Sequence, residues 1–191
     1  MAKIGIKGLA YAPFTSGGDG SAISYGTGVW LDDYMVKADL SEERSSVKFY
    51  ADDHQIDAEN GITGISLTLE LAALTDALDK ALLGHAAAAS GDQLNVTADD
   101  SPFVGIGFIR KERHKGSVTY HGYWIYKIQF SKDTDSAQTK GETIDFQTET
   151  ISGSGMGVIL TSGGKVFYYS HIRNATEATV VSWLKGMAGI S

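Results

Sequence analysis

Residues 62–71, with the sequence ITGISLTLEL, alternate apolar and polar side chains along their length. Ile65, Leu67, Leu69 and Leu71 fall on one side of an extended chain, and glycine, serine, threonine and glutamate fall on the other. A period of two is typical of a β-strand with one buried and one solvated face. The segment therefore predicts a sheet that packs on one side and meets water on the other.

Segments of similar pattern lie on both sides of this strand. They predict further strands at residues 3–11, 35–41, 103–111, 117–131, 142–152, 157–161 and 165–170. Two amphipathic segments predict short helices. The first covers residues 75–83, with Thr75 as N-cap and Gly84 as its end, and the second begins at a capping pair formed by Asn174 and Glu177. The expected fold is mainly β (α+β), a sandwich or barrel with a flanking helix and a C-terminal helix, in a single domain spanning residues 1–191.

The alternation also predicts the hydrophobic core. Within residues 117–131 one strand face is expected to carry Val118, Tyr120, Trp124, Tyr126, Ile128 and Phe130. We expect the largest buried side chains to be Leu67, Leu69, Trp124, Tyr126, Phe130 and Phe146.

Residues 41–61 interrupt this pattern. They contain the charged runs EER at 42–44 and DDH at 52–54, which are too polar for a core. We predict that this segment is a long hairpin or loop that protrudes from the domain.

Composition excludes several classes of protein. The 191 residues carry a net charge of −7, which repels nucleic acid on average because duplex binding depends on neutralising phosphates. There is no cysteine, which excludes disulfides and thiolate metal sites. The most apolar region, residues 67–89, carries four charged residues, so no membrane span is expected.

Catalytic and metal-binding motifs are missing from the sequence. The five histidines are scattered, and His114 with His121 would make a poor zinc site. The acidic residues between Asp52 and Glu59 lack the order of an EF-hand, so a solvated or interface loop is the better interpretation. The basic run RKERHK at 110–115 suits a solvated turn or a salt-bridging contact better than a nucleic-acid site. We therefore expect no enzyme, no metal and no cofactor.

Six short stretches resemble the major tail (tail-tube) proteins of long-tailed, non-contractile bacteriophages. They are IGIKGLAYA at 4–12, YADD at 50–53, LLGH at 82–85, SPFVGIGF at 101–108, YWIYK at 123–127 and QTKGETIDFQT at 138–148. The last is the most specific, and in their order and spacing the six stretches extend over most of the chain, from residue 4 to residue 148.

The resemblance implies a structural subunit that forms hexameric rings, stacked into a tail tube around a channel for DNA. It implies a virion protein made in the cytoplasm of a host bacterium. Expected partners are other copies of the chain and tail proteins such as the tape measure and the tail terminator, with DNA passing without specific binding. Residues 41–61 would then be an inter-subunit arm, with Glu43, Arg44, Tyr50, Asp52 and Asp53 as its candidate contact residues.

The same resemblance gives candidate channel-lining residues. A DNA conduit should be acidic and should adhere weakly to phosphates. The polar residues of the strands at 62–71 and 142–152 fit this requirement, namely Ser66, Thr68, Glu70, Asp145, Gln147 and Glu149.

Two other functions stay open at this point. A β-sandwich binding module, for carbohydrate or another ligand, would use exposed aromatic rings such as Trp30, Tyr168 or Tyr169 as a stacking platform. A small hydrolase would need a catalytic carboxylate pair, and the sequence identifies none.

Overall fold

The computed structural model describes residues 2–51, 54–87, 93–94, 100–132, 148–161 and 164–190. In chain order these residues form β1 (Ala2–Ser16), β2 (Ser24–Tyr25), β3 (Val29–Leu31), β4 (Met35–Ala51), β5 (His54–Leu71), α1 (Asp76–Leu83), β6 (Ala86–Ala87), β7 (Gln93–Leu94), β8 (Val104–His114), β9 (Ser117–Ser131), β10 (Glu149–Gly155), β11 (Val158–Ile159), β12 (Val166–Phe167), β13 (Tyr169–Ala175) and α2 (Glu177–Ala188). The predicted mainly β class is confirmed.

Most strands belong to one antiparallel sheet in the order β2-β1-β8-β9-β10-β5-β4. Strand β3 adds to β1, and β13 adds to β9. The long strand β9 therefore serves two partners along one edge: it pairs with β13 around Trp124 and with β10 around Phe130. Strand β4 ends the order, and β5 is its only sheet partner among the described residues.

The alternation predicted for the strand at 62–71 is confirmed within β5. Ile65, Leu67, Leu69 and Leu71 are fully buried, whereas the polar residues between Leu67 and Leu71 remain partly accessible. The buried side packs against Leu78 and Leu82 of α1 and against side chains from β8, β9 and β10. This cluster is the main core, and it forms because every second residue of the central strands is apolar.

A second apolar cluster lies on the opposite side of the sheet, under α2. It includes Ala10 of β1, Ile109 of β8, Trp124 of β9, and Val180 and Leu184 of α2, all fully buried. The central strands are therefore covered on both faces.

The single apolar face predicted for β9 is wrong, because a β-bulge divides it. Val104 of β8 pairs with Ile128 and Ile106 pairs with Ile125, so β9 carries one extra residue in this interval. A bulge shifts the side-chain parity of the strand beyond it. Ile128 and Phe130 consequently join the main core, while Trp124 joins the α2 cluster.

Four of the six side chains predicted as the largest of the core are buried. Leu67, Leu69, Trp124 and Phe130 are buried as predicted, and Tyr126 is partly buried against the α2 cluster. Val118 is 41% exposed near the end of the β8–β9 hairpin. Phe146 lies outside the described residues.

The first helix follows the prediction and the second begins later than predicted. Thr75 caps α1 by accepting a hydrogen bond from the Leu78 amide, and Gly84 ends the helix with a φ of 81°. In α2 the N-cap is Thr176, which accepts from the Thr179 amide, rather than Asn174. Asn174 belongs to β13, whose pairing with β9 keeps the chain extended up to Ala175.

Candidate functional site

The outward side of β4, β5 and β10 forms one polar surface. Directly paired residues of neighbouring strands point to the same side of a sheet. Ser152 and Asp39 both pair with Thr68, and Thr150 and Lys37 both pair with Glu70. We call this surface the polar sheet face; it consists of Lys37, Asp39, Ser41, Glu43, Ser66, Thr68, Glu70, Thr150, Ser152 and Ser154.

The polar sheet face is rich in hydroxyl groups and acidic on balance. Its charged residues are three carboxylates, from Asp39, Glu43 and Glu70, and one ammonium group, from Lys37. Lys37, the one cationic residue of this face, forms a salt bridge with Asp39. Glu70 accepts a hydrogen bond of 2.6 Å from the Thr148 hydroxyl. No apolar side chain interrupts the described part of this face between Lys37 and Ser154.

Three of the six predicted channel-lining residues, Ser66, Thr68 and Glu70, lie together on this face. The predicted grouping of Glu149 with Glu70 is wrong. Glu149 pairs with Leu71, on the side of β10 that buries Ile151, and its carboxylate lies 2.8 Å from the Lys132 ammonium group. The register of β10 against β5 decides this, and it is not visible in the sequence of one strand. Asp145 and Gln147 lie outside the described residues.

Residues 41–61 form the long hairpin that their polarity suggested. β4 and β5 stay paired from Glu42 opposite Ile65 to Ala51 opposite His54. At about 3.3 Å per residue, the ten steps from Ser41 to Ala51 extend about 33 Å.

Three of the five candidate arm residues, Glu43, Arg44 and Tyr50, lie on this hairpin. Glu43 and Arg44 are exposed, and Arg44 forms a salt bridge with Glu42. Tyr50 pairs with Gln55 through the backbone. Asp52 and Asp53 lie outside the described residues. Beyond Glu42 the side chains of residues 43–46, 48 and 60–63 are exposed, so the part of the ribbon that they form has solvent on both faces.

The basic run at 110–115 divides into a turn and a polar cluster. The hairpin turns at Lys115 and Gly116, whose φ angles of 45° and 87° fit a two-residue turn of type I′. Arg110 lies further back in β8, where it forms a 3.0 Å salt bridge with Glu112 and donates a hydrogen bond to the Tyr123 hydroxyl. The salt-bridging interpretation therefore holds for Arg110 and the turn interpretation for Lys115.

Beside Arg110 the sheet buries polar atoms that form no hydrogen bond with a described residue. His121 is 4% exposed, pairs with Arg110 across the strands, and has its Nε2 atom 3.6 Å from a Glu112 oxygen. Neither ring nitrogen of His121 makes a hydrogen bond with a described residue, and neither does the Arg110 Nε atom. Burial and the nearby Arg173 lower the pKa of His171, the aromatic neighbour of Tyr123. A buried polar group without a hydrogen bond lowers the free energy of unfolding, so these groups destabilise the fold locally.

The polar cluster continues into a cleft of 970 Å³ beside the free edge of β4. We call it the edge cleft. Its walls are β4 on one side and β1, β8, β9 and β13 on the other, with Phe108 and Tyr123 among its lining residues. Tyr169 of β13 donates a 2.7 Å hydrogen bond to Glu42 of β4 and so joins the two walls. This bond, together with Arg44, lowers the pKa of Glu42.

The edge cleft could not be located from sequence. Its lining residues come from five strands that are far apart in the chain, and each strand contributes ordinary charged and aromatic residues. The only sequence signal was the basic run at 110–115, of which Arg110 alone lines the cleft.

The aromatic residues proposed for a stacking platform do not form one. Trp30 packs toward the α2 cluster and donates to Asp32, whereas Tyr168 donates to the Ile62 carbonyl and Tyr169 to Glu42. The three rings are engaged at separate places.

No metal-binding cluster occurs in the part of the chain that the structure describes. No group of three histidine or carboxylate side chains converges there. His114 pairs with Ser117 at the hairpin end and His121 pairs with Arg110, so the two are not cross-strand neighbours.

Three further findings concern membrane-spanning helices and similarity to known proteins. Within the described ranges, no helix is long and apolar enough to cross a membrane. No protein-family model matches the chain. A search of curated proteins finds no significant relative.

Proposed function

We propose that this protein is a structural subunit of a phage tail tube, which forms stacked hexameric rings around a channel for DNA. The polar sheet face carries the proposal. It is a continuous surface of hydroxyl and carboxylate groups on three neighbouring strands, with a net charge of −2 from its four charged residues. A surface of this kind is hydrated, repels phosphates weakly and offers no basic groups in excess, as a DNA conduit requires.

Two further features agree with assembly into rings. The sequence resembles tail-tube proteins over most of its length, and the β4–β5 hairpin extends beyond the residues that bury a core. A ribbon exposed on both faces buries little apolar area against its own domain. It becomes stabilised when a neighbouring subunit covers it. In this proposal the hairpin is the inter-subunit arm.

The arm is tested by deleting residues 43–59 and examining the protein by electron microscopy. The observed register makes this a conservative deletion, because Glu42 pairs with Ile65 and would then be joined to it by the five residues 60–64. Connections of this length are common in β-hairpins. We expect a folded monomer that forms no tubes at concentrations where the full chain does.

The control is a charge change on the same hairpin that leaves its length intact, Lys48→Gln, which should still form tubes. Circular dichroism and thermal melting of the deletion variant separate failed assembly from failed folding. Tubes of normal appearance from the folded deletion variant would refute the role of the arm. Absence of rings and tubes from the full chain at high concentration would refute the proposed function.

The lining surface is tested by reversing charge on the polar sheet face. Asp39→Lys together with Glu70→Lys changes the charge of this face from −2 to +2 in each subunit. We expect tubes to assemble and phage carrying the variant to eject DNA slowly, with the defect decreasing at high salt because salt screens the attraction. Unchanged ejection at low salt would place this face away from the channel.

A further inference from the structure

Strand β4 offers an unpaired edge to the edge cleft. Residues 36–42, seven in succession, all line the cleft. Since successive side chains of a strand point to opposite faces, a continuous run can border one cleft only along the edge of the strand. β5 occupies the other edge, and within the described residues no strand pairs with this one. The cleft therefore faces a row of backbone donors and acceptors about 23 Å long.

The wall across from β4 is cationic. It contributes Lys3 of β1, Arg110 of β8 and Arg173 of β13, and no carboxylate from that wall lines the cleft. Arg110 is paired with Glu112, whereas Lys3 and Arg173 form no salt bridge with a described residue. Counting β4 as well, five cationic and two carboxylate side chains line the cleft, in a chain whose net charge is −7. The lining of the cleft therefore has a net charge of +3, opposite in sign to the net charge of the chain.

These observations identify the chemistry of an occupant. A free strand edge is matched by an extended peptide, whose backbone completes the hydrogen bonds. Cationic groups facing that edge are matched by acidic side chains on the peptide.

Nucleic acid fits the cleft less well. Single strands bind through aromatic faces that stack on bases. Here Phe108 and Tyr123 are buried and stacked on each other with centroids 5.4 Å apart, and Tyr169 and His171 lie against Tyr123. The rings are already in contact with one another and offer no open platform.

We propose that the edge cleft binds an extended acidic peptide segment, which adds as a strand to the free edge of β4. The edge cleft shares Lys37, Asp39 and Ser41 with the polar sheet face, but binding to it does not require rings or a channel. The proposal therefore stands or falls independently of the function in DNA passage.

Fluorescence anisotropy tests the proposal directly. The probe is a fluorescein-labelled peptide of about ten alternating glutamate and threonine residues, mixed with protein that sedimentation shows to be monomeric. We expect saturable binding that weakens as salt is raised. Because the chain is acidic overall, attraction of an acidic peptide would require a local cationic site.

Charge reversal identifies the site. Lys3→Glu with Arg173→Glu should weaken binding at least about tenfold, because both groups face the cleft and neither forms a salt bridge with a described residue. The matched control, Lys115→Glu with Lys165→Glu, makes the same change in net charge at exposed positions outside the cleft and should bind as the original protein does. If the first variant fails to fold by circular dichroism, Lys3→Gln with Arg173→Gln replaces it.

Two altered probes decide what is bound and how. The same peptide N-methylated at every residue keeps its charge but cannot donate to a strand edge, so its binding should be lost. A labelled oligothymidylate of about ten nucleotides should bind more weakly than the peptide. Equal binding by the cleft variant and its control, undiminished binding of the methylated peptide, or tighter binding of the oligonucleotide would each overturn the proposal.

Discussion

Replacing Leu69 with alanine tests whether β5 is the centre of the core. Leu69 is fully buried, between Ala38 of β4 and Ile151 of β10 in the sheet. The substitution removes three carbon atoms, and at roughly 0.8 kcal/mol for each buried methylene the transfer contribution is about 2.4 kcal/mol. The cavity that remains adds to this, because the surrounding strands cannot close fully around it, so we expect a loss of about 2–5 kcal/mol in the free energy of unfolding.

Urea denaturation followed by tryptophan fluorescence measures this loss, since Trp124 is fully buried. Thr68→Ala is the matched control, because Thr68 is the adjacent residue of the same strand but lies on the polar sheet face. A threonine on the solvated side of a strand contributes mainly through β-propensity, so its loss should cost under about 1 kcal/mol. A cost for Leu69→Ala below about 0.5 kcal/mol, or one equal to that of Thr68→Ala, would refute the assignment of inward and outward faces.

Two further predictions concern charge and metal. Glu177 at the start of α2 accepts from the Lys7 ammonium group, which lowers the pKa of the carboxyl below its ordinary value of 4.5. A lowered pKa stabilises the fold above the unfolded-state pKa, and this contribution is lost as the pH falls through the folded-state pKa. Carboxyl NMR titration should therefore give Glu177 a pKa below 4.5 that rises in Lys7→Ala; an unchanged pKa in that variant would contradict the contact. Treatment with EDTA should leave the melting temperature unchanged, since no cluster of ligands occurs among the described residues, and a large decrease would reveal a metal site in the acidic segment after Asp52.

The sequence alone determined the features that depend on neighbouring residues. The alternation at 62–71 identified the inward side of β5, because a period of two allows only one apolar face. Thr75 and Gly84 identified both ends of α1, because the cap hydrogen bond and the left-handed φ are local requirements. The polarity of residues 41–61 indicated a hairpin beyond the core, because charged residues on both sides of a ribbon exclude burial on either.

Only the tertiary structure decided the features that depend on partner strands. The bulge in β9 follows from its fit against β8, and it moves Trp124 and Phe130 to opposite sides of the sheet. The side on which Glu149 lies follows from the register of β10 on β5, since a shift of one residue would exchange the two faces. The edge cleft has the same origin: Lys3, Arg110 and Arg173 become one cationic wall only because β1, β8 and β13 are brought together by pairing, across distances in the chain that no local pattern records.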